Sequence, residues 1–238
     1  MEHPVPSGPL AVRWLACSVG EQRAGTLATA RVELENAGLA AWARRVNASY
    51  HWLDERGNPI VWDGLRTPVE LPPGGRAALE LRLRAPIPPG AYRLAFDLVD
   101  EERLWFAEVG NHAPELEVEV LPRNAEGAVD WLPADAEPAG DRAERVRAAH
   151  EEGYAAVGGS LAVVSGRFGR IPPELAAYAP GGGRNPAFAR PLLCPSLLPG
   201  LEPNAEVEGL PAWRPEGDEP WLYDGRITAR LQAGRRAG

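Results

Sequence analysis

A chain of 238 residues, 45% hydrophobic and 24% charged, is long enough to bury a core without disulfides or metals. Its formal net charge of −8 would repel a phosphate backbone, so nucleic acid is not an expected partner. The 26 Gly and 25 Pro exceed ordinary usage and point to much turn and loop, and all 25 basic residues are Arg, the bias of a GC-rich bacterial coding sequence.

The start MEHPVPSGPL has neither a basic nor an apolar leader region, and no later segment approaches the ~20 apolar residues of a membrane span. No membrane insertion and a cytoplasmic location are therefore expected. Cys17 and Cys194 fit no metal or redox spacing and read as two thiols, with a pairing between them left open.

LAVRWLA, residues 10–16, suits a first strand with Trp14 as a core plug. Residues 27–35 alternate, with Ala28, Ala30, Val32 and Leu34 on one face and Thr29, Arg31, Glu33 and Glu35 on the other, as a half-buried antiparallel strand does. Asn36-Ala37-Gly38 breaks the strand, because Asn and Gly tolerate positive φ. Trp42 follows in the connection.

The next strand places Val46, Ala48, Tyr50 and Trp52 on an inner face, Asn47, Ser49 and His51 on an outer one, and turns at Asp54–Asn58. A hairpin at Asp63-Gly64 is expected after Val61 and Trp62, with Gly64 at positive φ and Pro68 marking an edge strand. Leu79, Leu81 and Leu83 alternate with Glu80, Arg82 and Arg84, and Pro88-Pro89-Gly90 turns the chain into Tyr92, Leu94, Phe96 and Leu98. Tyr92, at a strand start after this turn, either makes a hydroxyl-to-backbone corner bond or simply packs. LWFAEV, residues 104–109, and ELEVEVL, residues 115–121, complete the series. Short strands at this spacing, with a turn signal between each pair, predict an immunoglobulin-like antiparallel β-sandwich over residues 8–122.

Residues 123–140 read as an acidic, Pro-containing linker. Over 141–238 the chain is loop-rich with one short helix, DRAERVRAAHEE, which presents Val146 and Ala149 on one side and stops at Gly153. AAVGGSLAVVSG, residues 155–166, suits one kinked strand or two. Ile60 to Gly64 and Trp221 to Gly225 both put an aromatic before Asp-Gly and an Arg after it, as shared hairpin chemistry or a repeated module would.

No catalytic, cofactor or metal constellation stands out. Gly181 to Pro186 lacks the Lys-Ser/Thr ending of a phosphate loop, and VGGSL at 157–161 has the wrong glycine spacing for a nucleophile elbow. His150-Glu151-Glu152 lacks a second His, and Asn47-Ala48-Ser49 is a glycosylation sequon by spelling alone. Asp97, Asp100, Glu101 and Glu102 near Arg103 read as solvated loop carboxylates rather than an acid and base pair. The aromatics are more informative. Trp42, Trp62 and Trp105, with Asp63 and Arg66, are the residue types of a stacking face for a glycan or a protein partner, since flat rings supply area and polar groups supply orientation.

The order of N-x-G, Trp42, YHW, WDGLRT, APIPPGAYRLAFDLVDE and WF resembles the four-tryptophan (FW) immunoglobulin-like domain over residues 10–121. Trp42 and Trp52 fall on two of the family's tryptophans and Trp105 lies near its last; the one before the Asn is absent, where the strand reads VELEN, and Trp62 is extra. The resemblance implies a non-catalytic binding or recruitment module, like bacterial versions attached to cell-surface polysaccharide enzymes. The alternatives are an enzyme or enzyme accessory whose C-terminal half acts on glycans through Asp218, Glu219, Asp224, Arg184 and Arg226, and a structural spacer.

Overall fold

A computed structural model describes residues 5–134, 136–138, 140–164, 191–207, 209–215 and 217–232. The chain divides into two compact units, Met1–Leu121 and Pro122–Gly238. The fold is mainly β.

The first unit contains β1 (Val12–Val19), β2 (Gln22–Arg23), β3 (Leu27–Asn36), β4 (Val46–Leu53), β5 (Pro59–Val61), β6 (Thr67–Pro68), β7 (Arg76–Arg84), β8 (Gly90–Asp100), β9 (Leu104–Trp105), a 3-10 turn (Phe106–Val109) and β10 (Glu115–Leu121). One sheet runs β1-β3-β7. The other runs β2-β10-β8-β4-β5, with β6 added to β4 and β9 to β8. The pairing is antiparallel apart from β2 beside β10. The alternating apolar residues meet between the sheets: Val32, Leu34, Leu81 and Leu83 from one, Ala48, Tyr50, Trp52, Leu94, Phe96 and Leu98 from the other. This is an immunoglobulin-like antiparallel sandwich.

Several polar tips within this core are met by backbone, while the buried indole nitrogens of Trp14 and Trp42 find no hydrogen-bond partner among the described residues. The Trp52 indole donates to the Arg84 carbonyl at 2.9 Å, and the Arg84 amide donates to the Tyr50 hydroxyl at 2.8 Å, so two aromatics of β4 are tied to the end of β7. The Tyr92 hydroxyl donates to the Pro88 carbonyl at 2.6 Å, which makes it a tyrosine corner.

Three expectations differ locally from the structure. Residues 104–109 form only two residues of strand before the chain tightens into the 3-10 turn, where Glu108 accepts the Trp105 amide at 3.0 Å. Neither Gly38 nor Gly64 has positive φ. Each is needed for close approach instead: a Cβ on Gly38 would lie 2.3 Å from the Pro9 carbonyl oxygen, and one on Gly64 would lie 2.5 Å from that of Tyr50. Finally, β5 and β6 do not pair with each other. Both pair antiparallel with β4, β5 opposite Trp52 and Leu53, β6 opposite Asn47 and Ala48. They are two pieces of one edge strand, and Asp63-Gly64 lies in an excursion between them rather than at a hairpin tip.

The second unit contains β11 (Val129–Asp130), β12 (Ala136–Pro138), α1 (Arg142–Glu152), β13 (Ala156–Val164), β14 (Leu192–Leu193), β15 (Ser196–Leu197), β16 (Ala205–Val207), β17 (Leu210–Trp213) and β18 (Trp221–Gln232). Most strands are two to four residues long, but β13 and β18 pair in parallel at the centre of a five-stranded sheet, β11-β15-β13-β18-β12. The Gly-Gly segment is thus one strand. Asp224-Gly225 sits where the β13–β18 register shifts, so this second Asp-Gly is not a hairpin either. Val146 and Ala149 of α1 pack against Val157. Asp141 precedes the helix, but its carboxylate holds Arg145 at 2.6 Å instead of capping the backbone.

Candidate functional site

The outer face of β4 is not solvated. Asn47, Ser49 and His51 are buried, and so is Asp97 opposite them on β8. Pleating sends these side chains away from the sandwich core, and what covers them is the excursion after β5 together with β9 and the 3-10 turn. The covering residues are Trp62, Arg66 and Trp105.

His51 is the centre of the layer at 3% exposure. Its ring stacks under the Trp62 indole, with centroids 4.0 Å apart and planes 20° apart, and meets Trp105 edge-on at 4.4 Å. His51 Nδ1 donates to the carbonyl of Trp62 itself, so one imidazole holds both the backbone and the ring of that residue. Its Nε2 lies 3.7 Å from Asp97 Oδ2. Asp97 in turn accepts the amide of Ala107 at 3.3 Å, which ties the 3-10 turn to the sheet.

Arg66 closes the other side. Its guanidinium lies 4.9 Å above the Trp105 ring and donates to Glu101 at 2.8 Å, Asp63 at 3.0 Å, Ser49 Oγ at 3.1 Å and the Gly64 carbonyl at 2.7 Å. Burial works against its charge, but the hydrogen bonds it donates to Asp63 and Glu101, with their negative charge, outweigh that and raise its pKa above the ordinary arginine value. Asn47 Nδ2 also donates to Glu101, at 3.1 Å.

Of the five residues singled out by sequence, Trp62, Asp63, Arg66 and Trp105 converge here. Trp62 is 47% exposed, while Trp105 is only 8% exposed and works as the floor. Trp42 does not join them. It is 2% exposed, bridges to Leu71 and packs edge-on to Phe106 in the sandwich core, which corrects its assignment to a binding face. Sequence reasoning missed His51 and read Asp97 and Glu101 as solvated, whereas Asp97 is buried and Glu101 is half-buried on Arg66. The alternation of Asn47, Ser49 and His51 does place them on the outer face, but nothing local reveals that the face is covered. The carboxylates around Arg103 are also not free: Asp100 pairs with Arg103 at 2.7 Å and with Arg45 at 3.4 Å, and Glu101 with Arg66.

Of the C-terminal candidates, Asp218, Glu219 and Asp224 fall among the described side chains. Arg184 lies outside the described residues, as does the side chain of Arg226. Glu219 faces Arg123 at 3.8 Å, and Asp218 is exposed in a turn. His150 Nε2 and Ser196 Oγ are 3.0 Å apart, with His150 Nδ1 on the Tyr154 carbonyl at 2.7 Å, but both side chains are fully enclosed and the arrangement locks α1 to β15. Cys17 and Cys194 are free thiols, each pushed up to about 11 by burial. Among the described residues there is no cluster of His, Cys, Asp and Glu able to hold a metal ion, and no helix long and apolar enough to cross a membrane.

No protein-family model matches this chain, and no curated protein matches it. Among solved structures, a β-glucosidase from Listeria innocua in complex with glucose is 16% identical, with a TM-score of 0.31, over 46% of this chain and 15% of that one. A putative β-galactosidase from Bacteroides fragilis is 17% identical, with a TM-score of 0.29, over 48% of this chain and 17% of that one. The PapD-like domain 7 of human CEP192 is 16% identical, with a TM-score of 0.24, over 51% of this chain and 90% of that one. The chain therefore spans about a sixth of the length of the two sugar hydrolases, and at these scores the likenesses carry no functional argument.

Proposed function

We propose that the first unit is a non-catalytic recognition module of the four-tryptophan immunoglobulin-like kind, holding a glycan or a partner enzyme in bacterial cell-surface polysaccharide assembly. The observation that carries this reading is Trp62. A large indole that is half exposed normally turns freely, whereas this one is fixed from beneath by a buried imidazole that grips both its ring and its carbonyl. A fixed aromatic loses little side-chain entropy on binding, which is how preorganised sites gain affinity.

The test is binding of the full chain to a glycan array and to purified enzymes encoded beside it, with wild type and Trp62→Ala in parallel. The reading expects a bound species that the variant loses while remaining folded. Equal binding by both proteins removes the site.

A further inference from the structure

A second surface lies away from Trp62, at the opposite margin of the larger sheet, where β10 is the last long strand. Its hydrogen-bond phase is fixed at both ends. The Phe96 amide donates to the Pro114 carbonyl at 3.0 Å just before β10, and the Leu121 carbonyl accepts the Ala24 amide at 2.9 Å at its end. In the antiparallel register with β8, Leu116, Val118 and Val120 therefore bond across to β8 through their backbone, while the amides and carbonyls of Glu115, Glu117 and Glu119 point the other way. β2 meets that margin only opposite Val120 and Leu121. The outward backbone groups of Glu115 and Glu117 have no partner among the described residues.

The side chains restrict what can pair there. Val118 and Val120 are buried in the core, and Leu116 packs against it while staying half-exposed. Glu115, Glu117 and Glu119 alternate with them on the outer face and are exposed. Arg93 stands opposite Glu117 on β8 but gives its guanidinium to Glu115 at 2.9 Å. Glu117 and Glu119 enter no ion pair among the described residues. This alternation closes the margin to a second copy, because β10 laid against β10 would set glutamates opposite glutamates. The long outer strand of the other sheet, β7, makes no comparable selection: Glu80 is paired with Arg31, Arg76 with Glu35, and the backbone of Arg84 is already held by Tyr50 and Trp52.

We propose that β10 takes up an extended segment of a partner protein in which Arg or Lys alternates with apolar residues. The backbone of the segment bonds to Glu115 and Glu117, its cations face the three glutamates, and its apolar residues cover Leu116. This surface is independent of the Trp62 layer.

The experiment measures, by fluorescence anisotropy, binding of labelled octapeptides to the full chain: one alternating Arg and Val, one alternating Glu and Val, and a block peptide of the Arg–Val composition with the arginines first. Wild type is compared with Glu117→Pro, with the double variant Glu117→Arg and Glu119→Arg, and with Trp62→Ala. Proline at 117 removes an outward N–H and leaves the ladder to β8 intact. The alternating Arg–Val peptide should bind at least about tenfold more tightly than the other two. Glu117→Pro should weaken it several-fold, the double variant should shift the preference to the Glu–Val peptide, and Trp62→Ala should bind as wild type does. Should Glu117→Pro fail to fold in a thermal melt, the double variant decides. No binding of the Arg–Val peptide, equal binding of the block or Glu–Val peptide, full affinity in a folded Glu117→Pro, an unchanged preference in the double variant, or loss in Trp62→Ala would each overturn the proposal.

Discussion

Trp52→Ala and Trp62→Ala remove the same side chain from two environments, and the structure separates their costs. Trp52 is fully buried, packs edge-on against Tyr50 and Tyr92, and holds the Arg84 carbonyl. Truncating a buried Trp costs ~3–5 kcal/mol. The orphaned Arg84 carbonyl places this case at the upper end, about 5 kcal/mol. Trp62 buries about half of an indole. With ~200 Å² for a whole aromatic and ~25 cal/mol per Å², half burial corresponds to at most about 2.5 kcal/mol. Against a typical domain stability of ~5–15 kcal/mol, the first loss threatens folding and the second does not. Urea unfolding of the full chain, followed by far-UV circular dichroism, should place the Trp62→Ala midpoint modestly below wild type and that of Trp52→Ala far below it, or leave the first unit of the latter unfolded. Coinciding midpoints would refute the reasoning, because Trp62 would then be as much a part of the core as Trp52.

Three further outcomes follow from particular contacts. Gly64→Ala should cost ~1–3 kcal/mol by pressing a methyl onto the Tyr50 carbonyl and ring, and Gly64→Asn should be at least as damaging. An Asn variant milder than Ala in thermal melts would point to positive φ instead. Tyr92→Phe removes the corner bond to Pro88 and should cost ~1 kcal/mol, lowering the melting temperature of a chain this size by ~2–4 °C; no shift in calorimetry would mean that the bond contributes nothing. Burial holds the pKa of His150 below its ordinary value of 6.5. Between that depressed value and 6.5 the unfolded chain binds more protons, so this contribution to stability is fully present above pH ~6.5 and is lost as pH falls towards the folded-state pKa. Urea midpoints compared at pH 7.5 and 5.5 should fall for wild type and fall less for His150→Gln. Equal slopes for the two would assign the effect elsewhere.

How far the chain could be read in advance follows from the range of the interactions involved. The sandwich strands are legible because period-two alternation records which face is buried, as in Leu79 to Leu83 and Tyr92 to Leu98, whereas Tyr92 beyond its Pro-Gly turn leaves a corner bond and simple packing open until the bond to Pro88 decides between them. Asp63-Gly64 carries strong local turn chemistry, yet it does not make a hairpin, since both flanking segments gain more by lying along β4 than by pairing with each other. His51 and Asp97 look like solvated outer-face residues until distant segments, 62–66 and 105–109, are laid over them. The central pair of the C-terminal sheet is parallel and joins segments about 65 residues apart. No turn signal marks such a pairing.

The excursion between β5 and β6 has a second consequence. An edge strand exposes a row of unpaired amides and carbonyls that invites another chain to add on, and proteins blunt such edges with breaks, prolines and inward-pointing charges. Here residues 62–66 divide the edge beside β4 into two short pieces, Pro59 and Pro68 stand in those pieces, and Arg66 turns its guanidinium in over the sheet. The segment that carries the proposed contact surface therefore also keeps the sandwich from stacking edge to edge with its own copies. Trimming it to abolish recognition would make the protein prone to self-association, so recognition is better dissected by single side-chain changes than by deleting the loop.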